Sequence, residues 1–175
     1  SELEKVVEEV EEIVRRSERH VTEVVKTSKK SVEDSNRHVA KVVEDVKKKV
    51  TELIEAAREN RVDKRELTRE AERVEEELRK VLRTNEKLAE EDKRRLEKVA
   101  RDNERLIDEV RRELDKVRKD KVLERVKREL KKAADRSRDI IRRVARETEE
   151  ALRTSREIAK RVEDELRRVL EEVRK

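Results

Sequence analysis

The chain has 175 residues, of which 57% are charged and 32% are hydrophobic, and its formal net charge is +5. It contains no Gly, Pro, Cys, Met or aromatic residue, so disulfides, thiolate chemistry and sulfur metal sites are excluded. Apolar residues never run longer than two in a row, which excludes a membrane span and a signal-peptide core. We therefore expect a soluble chain without a targeting signal, and nothing indicates a cellular compartment.

A hydrophobic pattern that returns every 18 residues runs through three successive segments. Eighteen residues make five turns of an α-helix at 3.6 residues per turn. A period equal to the natural helix keeps the apolar stripe straight, whereas a heptad repeat imposes a left-handed supercoil. The pattern therefore predicts three long, straight helices. Its clearest series are Leu3, Val21, Val39 and Ala57, then Leu78, Leu96 and Leu114, and then Val126, Val144 and Val162.

The first predicted helix covers residues 2–60, and a short turn follows it where the stripe loses its phase. Because Gly is absent, we expect Asn60 to adopt the left-handed conformation that ends the helix. Asp63 and Glu66 have the spacing of a capping box at the start of the next helix. A rival interpretation breaks the helix at the Ser-rich stretch 27–36, but the apolar phase continues across it.

The second predicted helix covers residues 64–118 and the third covers residues 121–174, with Asp120 as the expected N-cap of the third. The rival interpretation also breaks the second helix at Asp92, where the apolar phase again continues. Both turns are short, so neighbouring helices should be antiparallel. Each apolar arc is wide enough to contact two neighbours. The sequence therefore predicts an all-α, monomeric, antiparallel three-helix bundle that forms a single domain over residues 1–175.

Twelve positions in the apolar stripes carry polar residues. With the helices folded antiparallel, these residues align at three heights. The first layer comprises Ser17, His20, Asn103 and Ser137; the central layer comprises Ser28, Ser31, Asp92 and Thr148; and the second layer comprises Ser35, His38, Asn85 and Ser155. The first and second layers are copies that are shifted by one 18-residue repeat.

These polar layers are expected to be buried, the two histidines included. A buried polar group without a partner costs about 1–3 kcal/mol, so such residues are tolerable only as connected hydrogen-bond networks. Sliding one helix by a turn would place polar groups against Val and Leu. The layers are therefore predicted to set helix register.

The chain resembles de novo designed, parametrically generated helical bundles that carry buried hydrogen-bond networks. The 18-residue repeat, the restricted alphabet and the repeated His, Asn and Ser layers carry this resemblance over the whole chain. The resemblance implies a structural scaffold with no natural biochemical function. The alternative is a designed binding or assembly module that takes a helical partner or builds an oligomer.

Other functions are weighed against the same residues. Ser, His and Asn in one layer have the residue types of a hydrolase site, but no oxyanion donor lies nearby and a packed core leaves no room for substrate. His20 and His38 are about 27 Å apart along one helix, too far to share a metal ion. Basic residues of the last helix are interleaved with acidic ones, without stacking aromatics. We expect no catalytic residue, cofactor, metal, nucleic acid or membrane partner.

Overall fold

The computed structural model of the protein describes residues 2–117 and 121–174. Within these ranges the chain forms three α-helices: α1 (Glu2–Arg58), α2 (Lys64–Asp115) and α3 (Lys121–Arg174). The Ser-rich stretch 27–36 and Asp92 both lie inside continuous helices, so the rival interpretation that breaks the helices at these two places is wrong. The described helices contain no segment that is both long and apolar enough for a membrane span.

The first turn explains why α1 ends at Arg58 instead of at the predicted residue 60. Asn60 has a φ of 52°, which confirms the prediction of a left-handed residue there. The N–H of Arg61 donates to the carbonyl of Ala56 at 3.1 Å, and the N–H of Asn60 donates to that of Ala57 at 3.4 Å. This pair of bonds is the Schellman motif, which satisfies carbonyls that the helix end would otherwise leave unpaired.

The start of α2 follows the predicted cap. The carbonyl of Asp63 accepts a hydrogen bond from the N–H of Leu67 at 3.0 Å, as expected for an N-cap residue. Val62 and Leu67 lie in the same core cluster, which fits a hydrophobic staple across the cap. At its other end α2 stops at Asp115 instead of the predicted residue 118. The predicted cap Asp120 lies outside the described residues.

Internal contacts divide the chain into two compact units. Unit 1 comprises Ser1–Lys30 and Glu91–Glu147, and unit 2 comprises Ser31–Glu90 and Thr148–Lys175. Each unit contains a segment of all three helices. The fold class is thus the predicted all-α three-helix bundle, whereas the assignment of one domain to the whole chain stays a prediction.

Unit 2 has a continuous core cluster that draws on all three helices. Its least exposed members include Val46, Ala71, Ala159 and Leu166, which have no exposed surface. These residues are apolar at the helical spacing of the stripe, so their burial supplies the main driving force for packing.

Unit 1 contains two core clusters within its described residues. One includes Val10, Val110 and Leu130, and the other includes Val21, Val99 and Ile141. On every helix of this unit, the residue of the first layer lies between the two clusters in sequence: Ser17 on α1, Asn103 on α2 and Ser137 on α3. The first layer therefore separates two apolar regions.

Antiparallel packing is visible in the side-chain pairs within unit 2. Ser35 pairs with Asn85, and Lys49, further along α1, pairs with Glu77 at 3.0 Å, which comes earlier on α2. Residue numbers thus rise along one helix while they fall along the other. The short turn predicts this arrangement, and the structure confirms it.

The left-handed Asn60 gives a stability prediction. A left-handed conformation costs a non-Gly residue roughly 1–2 kcal/mol, so Asn60→Gly should raise the free energy of unfolding by up to about 1 kcal/mol, and Asn60→Val should lower it by about 1–2 kcal/mol. Arg58→Gly is the matched control, and it should lower the free energy by about 0.5–1 kcal/mol because residue 58 is helical. Chemical denaturation measures all three; a Gly variant less stable at position 60 than the parent would contradict this account.

Candidate functional site

The polar layers are the candidate functional site, and most of their members are buried. Ser17, Ser31 and Ser35 are half-buried. The buried polar side chains of the described chain are seven in number, and all seven belong to the twelve predicted positions: Ser28, Asn85, Asp92, Asn103, Ser137, Thr148 and Ser155. The polar positions in the stripe therefore do point inward, apart from the two histidines discussed below.

The first layer joins α1 to α2 in unit 1. The hydroxyl of Ser17 donates to Oδ1 of Asn103 at 2.8 Å. Asn103 is only 5% exposed, so its amide oxygen would be an unpaired buried acceptor without this bond. Ser137 on α3 is buried at the same cavity as Ser17 and Asn103.

The second layer repeats this bond in unit 2. The hydroxyl of Ser35 donates to Oδ1 of Asn85. In addition, the hydroxyl of Ser155 donates to Oδ1 of Asn36 at 3.1 Å. The layer therefore has hydrogen bonds from α1 to both α2 and α3. Sequence reasoning missed Asn36, because it lies beside Ser35 at the edge of the apolar stripe.

The two layers use the same donor and acceptor atoms one 18-residue repeat apart, but they differ at the third helix. In both layers the amide nitrogen of the Asn, in Asn103 and in Asn85, is buried without a hydrogen-bond partner among the described residues. In unit 1 the position equivalent to Asn36, 18 residues earlier, is Glu18. Its carboxylate forms an ion pair with Arg136 at 3.1 Å. Ser137 therefore lacks the Asn acceptor that Ser155 has in unit 2.

An ion pair flanks each layer, and these pairs are a second feature that sequence reasoning missed. In unit 1, Nη2 of Arg138 donates to Oε2 of Glu104 at 2.8 Å while its Nε donates to Oε1. In unit 2, Nε of Arg156 donates to Oε1 of Glu86 at 2.9 Å. The two arginines are 18 positions apart in sequence, and so are the two glutamates. Each arginine directly follows the Ser of its layer on α3, and each glutamate directly follows the Asn of its layer on α2. The repeat spacing of charged residues was the signal that could have revealed them.

The electrostatics of the flanking pair in unit 1 follow from its two-point geometry. The hydrogen bonds from Arg138 lower the pKa of Glu104, with Coulombic attraction to the same guanidinium in addition, while partial burial opposes the change. The same hydrogen bonds raise the pKa of Arg138. The pair is thus held in its charged form on the outside of the first layer.

The prediction that the two histidines are buried is wrong. His20 and His38 are both exposed. They lie at the edge of the α1 stripe, where an imidazole can stay in water, and the Asn oxygen of each layer already accepts a bond from Ser17 or Ser35. The serine hydroxyl protons therefore point to amide oxygens instead of imidazoles, which is unlike the activated serine of a hydrolase.

Members of the predicted central layer lie in both units. Asp92 is 1% exposed, and its Oδ1 accepts a hydrogen bond from Nη1 of Arg95 at 2.7 Å, a partner on the same helix that the predicted layer did not include. Ser28 is fully buried, and its hydroxyl has no partner among the described residues. Ser28 and Asp92 belong to unit 1, whereas Ser31 and Thr148 belong to unit 2, so the assembly of this layer stays a prediction.

The pair beside the first layer gives a pH prediction. A lowered folded-state pKa of Glu104 adds stability that is fully present above the unfolded-state value near 4.3 and is lost as pH falls through the folded value. Glu104→Gln should therefore lower the free energy of unfolding by about 0.2–1 kcal/mol at pH 7, since the pair is partly exposed. That difference should shrink as the pH falls below about 4.

Denaturation midpoints of the parent and the variant at pH 7 and pH 3 measure this effect. Glu109→Gln is a control at an exposed glutamate of the same helix, and we expect a smaller change there. An undiminished difference between parent and Glu104→Gln at pH 3 would show that the variant acts through something other than the carboxylate charge.

Comparisons with known proteins agree with this architecture. No protein-family model matches the chain, and no curated protein matches it. A solved structure described as a "Computationally designed three helix bundle" is similar to it, with a TM-score of 0.50 and 21% sequence identity over 98% of this chain and 85% of that one. At this identity the similarity concerns the fold. The chain therefore has the fold of a computationally designed three-helix bundle.

Proposed function

We propose that this protein is a designed structural scaffold, whose buried polar layers specify the register of its helices, and that it has no natural biochemical function. One observation carries the proposal. The same Ser-to-Asn hydrogen bond occurs in unit 1 and in unit 2, between residues related by one 18-residue repeat. A repeat that reproduces a buried polar contact, in a chain without Gly, Pro or aromatic residues, is typical of a backbone and a core that were specified together.

The register role follows from what a slip would bring together. On α1 the residues four positions before and after Ser17 are the apolar residues Ile13 and Val21. If α1 moved by one turn relative to α2, one of these side chains would face Asn103, and the amide oxygen would lose its donor. An unsatisfied buried polar group costs about 1–3 kcal/mol. In the second layer the equivalent neighbours of Ser35 are Ser31 and Val39. The slip that brings Val21 to Asn103 therefore also brings Val39 to Asn85 and is penalised in both layers, whereas the opposite slip is penalised at Asn103.

The same contacts support a role other than catalysis. Ser17 and Ser35 give their hydroxyl protons to amide oxygens, so neither hydroxyl is prepared as a nucleophile by a base. Asp92 is engaged by Arg95. We propose that the layers act through hydrogen bonding within the chain, that the scaffold is a monomer of 21.0 kDa, and that it needs no cofactor or partner.

A double-mutant cycle on the second layer tests the proposal. Asn85→Leu or Ser35→Ala alone removes one partner of a buried contact, so each should lower the free energy of unfolding by about 1–3 kcal/mol. The combined variant removes both partners and should be clearly more stable than the sum of the single effects predicts. Chemical denaturation followed by circular dichroism measures the cycle.

The same cycle on Ser17 and Asn103 is the replicate that the repeat provides, and it should give a coupling of the same sign. Thr22→Ala is the control for loss of a hydroxyl, because this exposed side chain bonds only to a carbonyl of its own helix at 2.8 Å; it should change the free energy by less than about 0.5 kcal/mol. If the single and combined changes are strictly additive in both layers, the Ser–Asn contacts are not coupled and the proposal fails.

A further inference from the structure

A small cavity in unit 1 lies at the first layer. Its volume is about 20 Å³, and its lining comprises the polar residues Ser17, Glu18, Asn103 and Ser137 together with apolar side chains of all three helices. Each lining residue is buried or half-buried. A cavity needs roughly 10–15 Å³ to hold a water molecule, so this one has room for a single water and for little else.

Asn103, which lines this cavity, carries a hydrogen-bond donor without a partner among the described residues. Oδ1 of Asn103 accepts the bond from Ser17 at 2.8 Å, but its Nδ2 is buried and has no partner among the described residues. Buried donors of native proteins are nearly always paired, either with protein groups or with ordered water. Ser137 lines the same cavity and is 4% exposed. Its hydroxyl is a second polar group that a molecule in the cavity can reach.

We propose that this cavity is a binding site for one long-lived water molecule, which accepts a hydrogen bond from Nδ2 of Asn103 and shares another with the hydroxyl of Ser137. The water takes the place that Asn36 fills for Ser155 in unit 2. In unit 1 the residue at that repeat position is Glu18, whose carboxylate pairs with Arg136. This inference rests on the cavity and the unpaired amide, and it does not depend on whether the layer sets register.

The second layer supplies an internal comparison. Nδ2 of Asn85 is also buried without a partner among the described residues. Its pocket is much larger, about 280 Å³, and its lining includes the exposed residues Asp34, His38 and Thr84. The pocket at Asn85 is thus large and partly lined by exposed side chains, whereas the cavity at Asn103 is small and lined by buried and half-buried ones. The two amides should thus differ in the lifetime of their bound water.

Oxygen-17 magnetic relaxation dispersion of the intact chain tests this proposal. The method counts water molecules that stay bound for longer than the rotational correlation time of the protein. Asn103→Leu, which replaces the amide by an apolar group of similar size, should remove the dispersion amplitude of one water. Asn85→Leu is the matched control and should leave the amplitude unchanged. Unchanged dispersion in Asn103→Leu would overturn the proposal, as would an equal loss in Asn85→Leu.

A second measurement needs no variant. A crystal structure of the unmodified chain should show an ordered water about 2.7–3.2 Å from Nδ2 of Asn103, with Ser137 as a further partner. A cavity without density there, or a protein acceptor rotated onto the Asn103 amide, would overturn the proposal even if the variants failed to fold.

Discussion

The structure depends on one constraint, which is that a polar group buried between apolar helices costs free energy unless it is hydrogen-bonded. The stripes of Val, Leu and Ile hold the helices together in each unit. Apolar residues recur every three or four positions along each stripe, so the apolar contacts alone are nearly as well satisfied after a slip of one turn. We propose that the contact from Ser17 to Asn103 at 2.8 Å and its repeat from Ser35 to Asn85 remove that degeneracy. Hydrogen bonds have a direction and a length, whereas hydrophobic contacts do not.

Features around the layers support the same arrangement. The ion pairs Arg138–Glu104 and Arg156–Glu86 connect α2 and α3 next to each layer, and each recurs with the repeat. These pairs are partly exposed, so each contributes little to stability. They nevertheless favour the same alignment of the helices along their axes as the buried hydrogen bonds do. At the first turn, Asn60 takes the left-handed conformation that Gly usually provides. The restricted alphabet is thus accommodated at the helix end at some cost in backbone energy.

Periodicity predicted more of this molecule than side-chain chemistry did. The 3.6-residue spacing gave the helices and turns, and the polar interruptions of the stripe included every buried polar side chain among the described residues. Burial was predictable because it depends on the angular position of a residue around its helix. Hydrogen-bond partners depend on rotamers and on neighbouring helices, so Asn36 and Arg95 were missed. The prediction that the histidines are buried was wrong for a related reason. At the edge of a stripe, the angular position of a residue around its helix allows a long polar side chain to reach water.

The central claim is that complementary polar layers select one register, and a distance measurement in unit 2 tests it most directly. Because the chain has no cysteine, spin labels on Lys47→Cys and Glu76→Cys, both exposed, report only the separation of α1 and α2. Double electron–electron resonance should give one narrow distance in the otherwise unmodified chain. The test variant removes the hydrogen bonds of both layers, with Ser17, Ser35 and Ser155 changed to Ala and Asn36, Asn85 and Asn103 to Leu. Its distance distribution should broaden or gain a second distance, since a slip of one turn moves a helix by about 5.4 Å. An equally narrow, unchanged distance in that variant would contradict the claim that the layers set register.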